Sequence, residues 1–488
     1  MKPDVVLVNP RITDIPFHPL GLLHIAAMLE KSGYTVKVYD TFPGDDAFIE
    51  DIVCDRPKMV GITSATAQIN RGLKIAEEIK RKASDIKIVF GGVHPTVMPQ
   101  WVLEKPSVDF VVIGEGEITA IELFEKIRSG KDDYDSVKGI GYKADGRCVF
   151  TKPREYVKDL DSLPFPARHL LPSDWYFQPP GKIRGVWLER SATIMASRGC
   201  PGHCIFCSSH LMWGRATRFR SPQNVIAEIK QLVSDYGVNG LWFLDDTFTV
   251  NHQWVREFCS LLKQSGLKIT WGVQARVNYV TEDLLREMKS AGCVQVDYGV
   301  ESGSPKVLQT MKKEITSEQV KKAFDISRKV GIRSLATFMI GLPTEEKEDV
   351  EMTAKLVNEI KPDFAEFFFA TPYPGTELFD MVKTHNWVNP SYDLSSWVFD
   401  KITDKPVMTI SFSEQELIKM RSALYNQVFL RNYLFYLKRP MFLLKSSMIL
   451  LKGWPAIGSG LSRVMKTKKL DSLFIDMLAY ARKSAKKD

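Results

Sequence analysis

The sequence predicts an α/β protein in which a doubly wound parallel sheet precedes a second, barrel-like set of strand–helix repeats. Short apolar runs that fit buried strands alternate with helical spacing over residues 1–135 and again over 191–400. Between them, residues 136–190 are irregular and rich in proline, as expected of a linker between domains. Residues 401–488 are predicted to form a helical, basic C-terminal region.

The composition is that of a soluble globular protein, since 44% of the 488 residues are hydrophobic. A chain of this length has room for two or three domains. Its seven cysteines form no disulfide framework and favour a reducing cytosol. The sequence opens without a signal-peptide pattern and holds no run of about 18 apolar residues, so we expect a cytoplasmic protein without a membrane span.

The N-terminal third predicts one strand–helix repeat after another. The run Val5-Val6-Leu7-Val8 fits a buried parallel strand, and Leu22, Ala26 and Leu29 follow with helical spacing up to Gly33. The pattern then recurs, with strands expected at 35–40, 59–63, 86–90 and 110–113 and helices at 69–83 and 118–128. Ligands of such sheets bind beyond the carboxyl ends of the strands, where glycine-rich turns lie here. No G-x-G-x-x-G follows the first strand, which counts against a nicotinamide or flavin dinucleotide.

Residues 191–400 predict six further strand–helix repeats, which make a partial version of the eight-fold barrel. Strands are expected at 192–196, 240–244, 269–273, 294–299, 334–340 and 364–369, with helices at 221–236, 251–265, 281–291, 316–330 and 346–360. Active sites of such barrels lie at the carboxyl ends of the strands. The residues there include Asp245, Asp246, Arg276 and Glu301. In the linker, Asp145-Gly146 indicates a β-hairpin.

Three cysteines within eight residues follow the first barrel strand. Cys200, Cys204 and Cys207 have the spacing C-x3-C-x2-C, and thiolates hold iron–sulfur clusters. Three thiolates would leave one iron of a [4Fe–4S] cube open to an external ligand. A zinc site completed by His203 or His210 is the alternative, although no second C-x2-C is present for the usual paired knuckles.

The cysteine run resembles the C-x3-C-x-aromatic-C signature of radical S-adenosylmethionine (SAM) enzymes, with Phe206 in the aromatic position. The resemblance implies a [4Fe–4S] cluster on Cys200, Cys204 and Cys207 whose open iron is chelated by SAM. One electron then cleaves SAM to a 5′-deoxyadenosyl radical that abstracts hydrogen from a substrate. An external electron donor of the flavodoxin or ferredoxin type is expected as a partner.

The strand-end residues suit the groups of SAM. We expect Asp245 or Asp246 to accept from its amino group, Arg276 to pair with its carboxylate, and Glu301 to meet the ribose hydroxyls or the amino group. Structural roles are the alternatives: Asp246 would cap the next helix, and Glu301 would pair with a nearby lysine.

The N-terminal third has characteristic turns at Pro19-Leu20-Gly21-Leu22, Gly91-Gly92-Val93-His94-Pro95 and Gly114-Glu115-Gly116-Glu117. Together these turns resemble the cobalamin-binding domain that precedes many radical SAM enzymes, although each glycine taken alone also fits a tight turn. The resemblance implies that the turns cradle cobalamin. The family's D-x-H-x-x-G motif is present only as His18-Pro19-Leu20-Gly21, since Asp14 lies four residues before His18 rather than two. The expected cobalamin-binding residues are Pro19, Gly21, Thr63, Gly91, Gly92, His94, Gly114 and Glu115.

The C-terminal tail carries the net charge. Residues 431–488 contain thirteen Lys or Arg against three Asp, whereas the net charge of the whole chain is +8. Aromatic, aliphatic and cationic residues interleave from Tyr433 to Trp454, as in a helix that lies on an anionic membrane. Peripheral membrane contact and a solvated basic helix packed on the barrel both remain open. No nucleic-acid-binding module accompanies the charge, so nucleic acid is not expected as a partner.

The resemblance implies a cobalamin-dependent radical SAM enzyme that methylates an unactivated carbon of a small molecule, lipid or tetrapyrrole. Relatives with the same parts catalyse ring closure or oxygen insertion, so a cyclase or oxygenase-type reaction is the alternative. A front domain that has lost cobalamin and a cobalamin- or metal-sensing module without turnover are further alternatives. The substrate, the carbon attacked and the oligomeric state are not determined by these patterns.

Overall fold

The computed structural model describes residues 2–12, 17–42, 44–178, 183–389 and 405–439. Asp14 lies outside the described residues. Residues 440–488, which contain most of the predicted membrane-contacting region, also lie outside them. Among the helices within the described ranges, none combines the length and apolar composition that crossing a bilayer requires.

Seven strands form the N-terminal sheet, and the doubly wound arrangement predicted from the apolar runs is confirmed. They are β1 (Val5–Pro10), β2 (Val36–Thr41), β3 (Met59–Thr63), β4 (Lys87–Gly91), β5 (Phe110–Val112), β6 (Ile140–Ala144) and β7 (Arg147–Phe150). Their order is β2-β1-β3-β4-β5-β6-β7, and the first five pair in parallel. The helices on this sheet are α1 (Leu20–Lys31), α2 (Phe48–Asp55), α3 (Ile69–Lys82), α4 (Val93–Val97), α5 (Pro99–Leu103) and α6 (Glu117–Ser129).

The hairpin predicted in the linker is β6 with β7, and it extends the N-terminal sheet. β6 pairs antiparallel with β5, with Val111 opposite Gly141. The sheet therefore continues past residue 135, because the hairpin covers an edge of β5 that would otherwise expose unpaired backbone groups. Helix α2 was not predicted, since eight residues give too little periodicity to distinguish a helix from a loop.

Six parallel strands form the second sheet, as the repeats predict. They are β8 (Ser191–Ile194), β11 (Gly240–Phe243), β12 (Thr270–Ala275), β13 (Cys293–Glu301), β14 (Arg333–Ile340) and β15 (Phe364–Phe369), and the short ribbon of β9 (Ser197–Arg198) and β10 (Arg218–Phe219) lies beside them. The order is β15-β14-β13-β12-β11-β8, so neighbours in sequence are neighbours in space. Within the described residues β8 and β15 do not pair with each other, and the barrel is open.

Ten helices of the described chain belong to the linker, the barrel and the C-terminal region. They are α7 (Ser173–Phe177), α8 (Ser209–Trp213), α9 (Pro222–Tyr236), α10 (His252–Gln264), α11 (Glu282–Ser290), α12 (Pro305–Thr310), α13 (Ser317–Val330), α14 (Lys347–Ile360), α15 (Glu377–Thr384) and α16 (Glu414–Leu437). Buried side chains of α7 lie in the same hydrophobic cluster as residues of both sheets. The linker is therefore part of a continuous core.

Helix α16 covers the free edge of β15. Asn432 accepts from the backbone N–H of Ala365 at 3.2 Å and donates to its carbonyl oxygen at 3.1 Å. Tyr425 does the same at Phe367, where its hydroxyl accepts from N–H at 3.1 Å and donates to the carbonyl oxygen at 3.3 Å. Two side chains thus satisfy edge groups that a closing strand would satisfy in a complete barrel.

Candidate functional site

The three cysteines lie on the cysteine loop (residues 199–208), which connects β9 to α8 above the carboxyl ends of the barrel strands. Cys204 is buried, whereas Cys200 and Cys207 are half-buried, and none of the three forms a disulfide. The N–H of Ile205 donates to the carbonyl of Met311 at 3.1 Å and so holds the loop against the barrel. Burial raises the pKa of the Cys207 thiol to about 11.

Arg276 lies directly beneath this loop. Its Nη1 is 3.6 Å from Sγ of Cys204, and its Nη2 donates to the carbonyl of Lys313. A Cβ atom at Gly202 would lie 2.6 Å from Arg276 Nη1 and 3.5 Å from Cys200 Sγ, so only glycine lets the loop pass this close. The predicted partner of the SAM carboxylate therefore contacts the cysteine loop itself.

The donor set suits an iron–sulfur cluster. A structural zinc ion would need a fourth ligand beside the three thiolates, whereas a cluster places each thiolate on a separate iron. Three reduced cysteines on one loop, with an arginine beside Cys204, fit a cluster held at three corners.

Asp245 anchors the start of the cysteine loop. Its buried carboxylate accepts from the N–H of Ala196 at 3.0 Å and from the hydroxyl of Ser197 at 2.5 Å. Burial, opposed by the Ser197 hydrogen bond, raises the pKa of Asp245 to about 6. Both carboxylate oxygens of Asp245 accept hydrogen bonds from residues that precede the cysteine loop, so Asp245 positions the start of this loop.

The structure also gives the surroundings of the three remaining predicted SAM-site residues, Asp246, Glu301 and Phe206. Asp246 is exposed and accepts from the hydroxyl of Ser209, and it does not cap the next helix, whose cap is Asn251. Glu301 is buried and accepts from Nζ of Lys313 at 2.7 Å, which is the ion pair expected as its structural alternative. Phe206 packs against the hydrophobic core, with Lys313 Nζ 5.9 Å from its ring centre. Contact of these residues with SAM stays a prediction.

A cavity of about 460 Å³ lies at the carboxyl ends of the N-terminal strands, and we call it the front cavity. Its volume is in the range of small-molecule sites. Met212 and Trp213 of α8, which follow the cysteine loop, form its wall on the barrel side. Seven of the eight predicted cobalamin-binding residues line it: Pro19, Gly21, Thr63, Gly91, Gly92, Gly114 and Glu115.

The glycines make room in the front cavity. Cβ atoms at Gly21 and Gly114 would meet nothing within 4 Å, so both positions face open space. Gly92 has φ +95°, and a Cβ there would lie 2.9 Å from Thr63 Oγ1 and 3.1 Å from the backbone nitrogen of Ser64. Gly21 and Gly114 thus present bare backbone to the cavity, as a cobalamin cradle requires, whereas Gly92 is required by the close packing of its own turn.

His94 does not line the front cavity, and its expected contact with cobalamin stays a prediction. The ring is fully buried, with Nδ1 3.2 Å from Thr66 Oγ1 and an edge-on contact to Trp101. Burial lowers its pKa to about 4. The glycines before it turn the chain into α4, which directs His94 into the core. His18 does line the cavity, stacked on Tyr176 with 4.5 Å between ring centres.

Sequence reasoning did not predict that four charged residues pair between the two sheets, although it singled out Glu115 for cobalamin. We call this group the junction cluster: Glu115, Glu117, Arg198 and Arg218. Arg198 Nη1 is 2.9 Å from Glu115 Oε1, and Nη2 is 2.6 Å from Glu117 Oε1. Arg218 Nη1 is 2.9 Å from Glu115 Oε1. The sequence shows charged residues in the turn after β5 and on either side of the cysteine loop. It gives no indication that these residues pair with each other.

Two family models match the chain. That of the radical SAM superfamily matches residues 194–357, and that of the B12 binding domain matches residues 14–124. The first match contains the cysteine loop and most of the open barrel, and the second contains most of the residues that line the front cavity.

Individual proteins are similar over most of the chain. An uncharacterized methyltransferase from Pyrococcus horikoshii is 34% identical over 424 residues, 85% of this chain and 88% of its own length. The anaerobic magnesium-protoporphyrin IX monomethyl ester cyclase of Rubrivivax gelatinosus is also 34% identical, over 74% of this chain and 65% of its own. The radical SAM methyltransferase TsrM from Kitasatospora setae, solved with cobalamin and a [4Fe–4S] cluster, superposes with a TM-score of 0.69, 18% identity and coverage of 88% and 89%.

Proposed function

Because the chain belongs to the family of radical SAM enzymes with a B12-binding domain, we propose that it methylates an unactivated carbon of a small-molecule or lipid substrate. Its cofactors as a member of this family are a [4Fe–4S] cluster, SAM and cobalamin. An external one-electron donor of the flavodoxin or ferredoxin type is part of the proposal.

One observation carries the proposal: the front cavity and the cysteine loop share a wall. Met212 and Trp213 line the cavity, and they lie on the helix that begins directly after the loop. A ligand in the cavity and a ligand on the loop would therefore face a common space between the two sheets. When bound, the cluster with SAM supplies a carbon-centred radical, and cobalamin supplies a transferable methyl group.

The chain's own residues hold and orient these groups. Cys200, Cys204 and Cys207 would ligate the cluster, and Asp245 fixes the strand end from which their loop departs. Turns with glycines at their centres would admit cobalamin.

Methyl transfer is proposed first because the similarity to the Pyrococcus horikoshii methyltransferase extends over 424 residues and 88% of that protein, against 374 residues and 65% for the Rubrivivax gelatinosus cyclase. A second anaerobic cyclase, from Synechocystis, matches over 79% of its own length. Coverage therefore does not exclude ring closure, and the experiment has to separate the two reactions.

The test is anaerobic incubation of the reconstituted protein with cell extract, reductant, cobalamin and SAM that carries a deuterated methyl group. We expect 5′-deoxyadenosine and S-adenosylhomocysteine in equal amounts, with the deuterated methyl in one extract compound. Mass spectrometry detects all three. Deoxyadenosine without labelled product or S-adenosylhomocysteine would favour cyclase-type chemistry, and neither product from fully loaded protein would favour a sensor without turnover.

A further inference from the structure

The junction cluster ties the wall of the front cavity to the start of the cysteine loop. Glu115 lies on the turn after β5, Glu117 is the first residue of α6, and Arg198 lies two residues before Cys200. The turn and the arginine are 81 to 83 residues apart in sequence, yet one guanidinium bonds both carboxylates. A movement of the turn must therefore move Arg198 or break these bonds.

The junction cluster is largely buried, and its carboxylates and guanidinium groups pair with one another. Glu115, Glu117 and Arg198 each expose 5% or less of their surface, and the second oxygen of Glu115 accepts from the N–H of Val157 at 2.6 Å. Burial alone would raise the pKa of Glu117, but the charge of Arg198 holds it below its ordinary value. Breaking one such pair leaves an uncompensated charge, so the arrangement resists small distortions as a unit.

A ligand in the front cavity would touch this unit at two places. Glu115 and Glu117 line the cavity, and so does Trp213. The ring centre of Trp213 is 4.8 Å from the guanidinium carbon of Arg198. Arg198 precedes the cysteine loop and Trp213 closes the helix after it. The cavity therefore reaches the C-terminal flank of the loop through Trp213 and the N-terminal flank through the two carboxylates that hold Arg198. These contacts connect the cavity wall to the loop without distant intermediates.

We propose that Arg198, held by Glu115 and Glu117, is a positioning residue that couples the two cofactor sites. When cobalamin occupies the front cavity, the cysteine loop then holds the iron–sulfur cluster more tightly. The inference rests on the cofactors of the proposed function and does not depend on methyl transfer. The coupling must be reciprocal. If cobalamin raises the affinity for the iron–sulfur cluster by some factor, the iron–sulfur cluster raises the affinity for cobalamin by the same factor.

The experiment measures hydroxocobalamin binding to the full chain by anaerobic spectral titration. One titration uses protein with the iron–sulfur cluster, and the other uses protein from which a chelator has removed the iron–sulfur cluster. In the unmodified protein we expect hydroxocobalamin to bind at least roughly fivefold more tightly when the iron–sulfur cluster is present. This factor is the lower end of the usual range for coupled binding sites. Equal affinities in the two forms would overturn the proposal without recourse to any variant.

Variants assign the coupling to the junction cluster. We expect Glu117→Gln, which keeps the shape but removes the charge, to bring the two affinities together. Arg198→Lys keeps the charge but lacks the planar fork of the guanidinium, so an intermediate ratio is expected. Iron release to bathophenanthroline disulfonate provides the second readout: cobalamin should slow it in the unmodified protein and have little effect in Glu117→Gln.

Glu228→Gln is the matched control. Glu228 is as buried as Glu117 and is also held by two arginines, Arg168 and Arg220, but it does not line the front cavity. This variant loses a buried ion pair and should keep the unmodified ratio of affinities. A ratio lost equally in Glu228→Gln and Glu117→Gln would show general destabilisation and would contradict a specific role for Arg198. Failure of methyl transfer leaves these binding ratios unaffected, so the two proposals fail separately.

Discussion

Arg276 Nη1 lies 3.6 Å from Sγ of Cys204, so a buried guanidinium stands beside the most buried of the three cysteines. A cation and N–H donor beside a cluster thiolate stabilise the reduced, more negative state of the cluster. We expect Arg276→Gln to lower the reduction potential by on the order of tens of millivolts. A redox titration followed by electron paramagnetic resonance measures the shift. Arg276→Lys, which keeps the charge, is the control, and an unchanged potential in Arg276→Gln would refute an electrostatic effect.

The cysteine spacing predicts the cluster ligands, and single substitutions test them. We expect Cys200→Ala, Cys204→Ala and Cys207→Ala each to lose most of the bound iron and sulfide after reconstitution, because two thiolates hold a cube poorly. Iron content and visible absorbance per chain provide the measurement. Cys54→Ala, at an exposed free cysteine of α2, should retain the full cluster. A full cluster in the Cys204→Ala protein would contradict the assignment.

Filling the front cavity should separate cobalamin binding from SAM cleavage. Gly21 lies on α1, and a Cβ there would meet nothing within 4 Å. We expect Gly21→Leu to weaken hydroxocobalamin binding at least tenfold while 5′-deoxyadenosine still forms. Helix stability should not fall, because leucine favours a helix over glycine by roughly 0.8 kcal/mol. Lys31→Leu, at the exposed end of the same helix, should bind cobalamin normally; tight binding by Gly21→Leu would place the cofactor elsewhere.

His24 makes the stability of the domain junction depend on pH. Burial, only partly opposed by Glu117, lowers its pKa from 6.5 to about 4, and its Nδ1 is 3.1 Å from the carbonyl of Pro164 in the linker. The unfolded chain binds the proton first, so this contribution is full above pH 6.5 and is lost as the pH falls toward 4. The loss amounts to about 3 kcal/mol at 1.36 kcal/mol per pKa unit.

Urea denaturation at several pH values from 4 to 7 tests the His24 prediction. The difference between the unmodified protein and His24→Gln isolates this residue from the other titrating groups. The free energy of unfolding of the unmodified protein should fall more steeply below pH 6.5 than that of the variant. Parallel pH profiles would show that His24 is accessible to protons in the folded state.

Membrane contact through residues 431–488 stays a prediction, and α16 determines how it should be tested. Asn432 covers the edge of β15, so a deletion from residue 431 would expose the barrel edge. We therefore delete only residues 440–488. We expect the full chain to float with vesicles containing anionic lipid, and the shortened chain to remain at the bottom. Neutral vesicles are the control, and equal flotation of both proteins would remove the case for the tail.

Much of the fold could be predicted from the sequence because its strands are buried on both faces. Runs such as Val5-Val6-Leu7-Val8 are apolar throughout, and 3.6-residue spacing marks the longer helices between them. The short helix α2 and the attachment of the β6–β7 hairpin to β5 were beyond this reasoning. The first lacks periodicity, and the second depends on which sheet edge is free.

The candidate site divides in the same way. Local spacing by itself determined the cysteine loop, because its three thiols must act together and lie within eight residues. It also identified most of the cavity-lining turns, since a turn at a strand end requires glycine locally. Only the tertiary structure decided that His94 faces the core and that Glu115 and Glu117 meet Arg198 more than 80 residues away. Charge pairing acts through space, and a sequence of charges gives no distances until the two sheets are packed together.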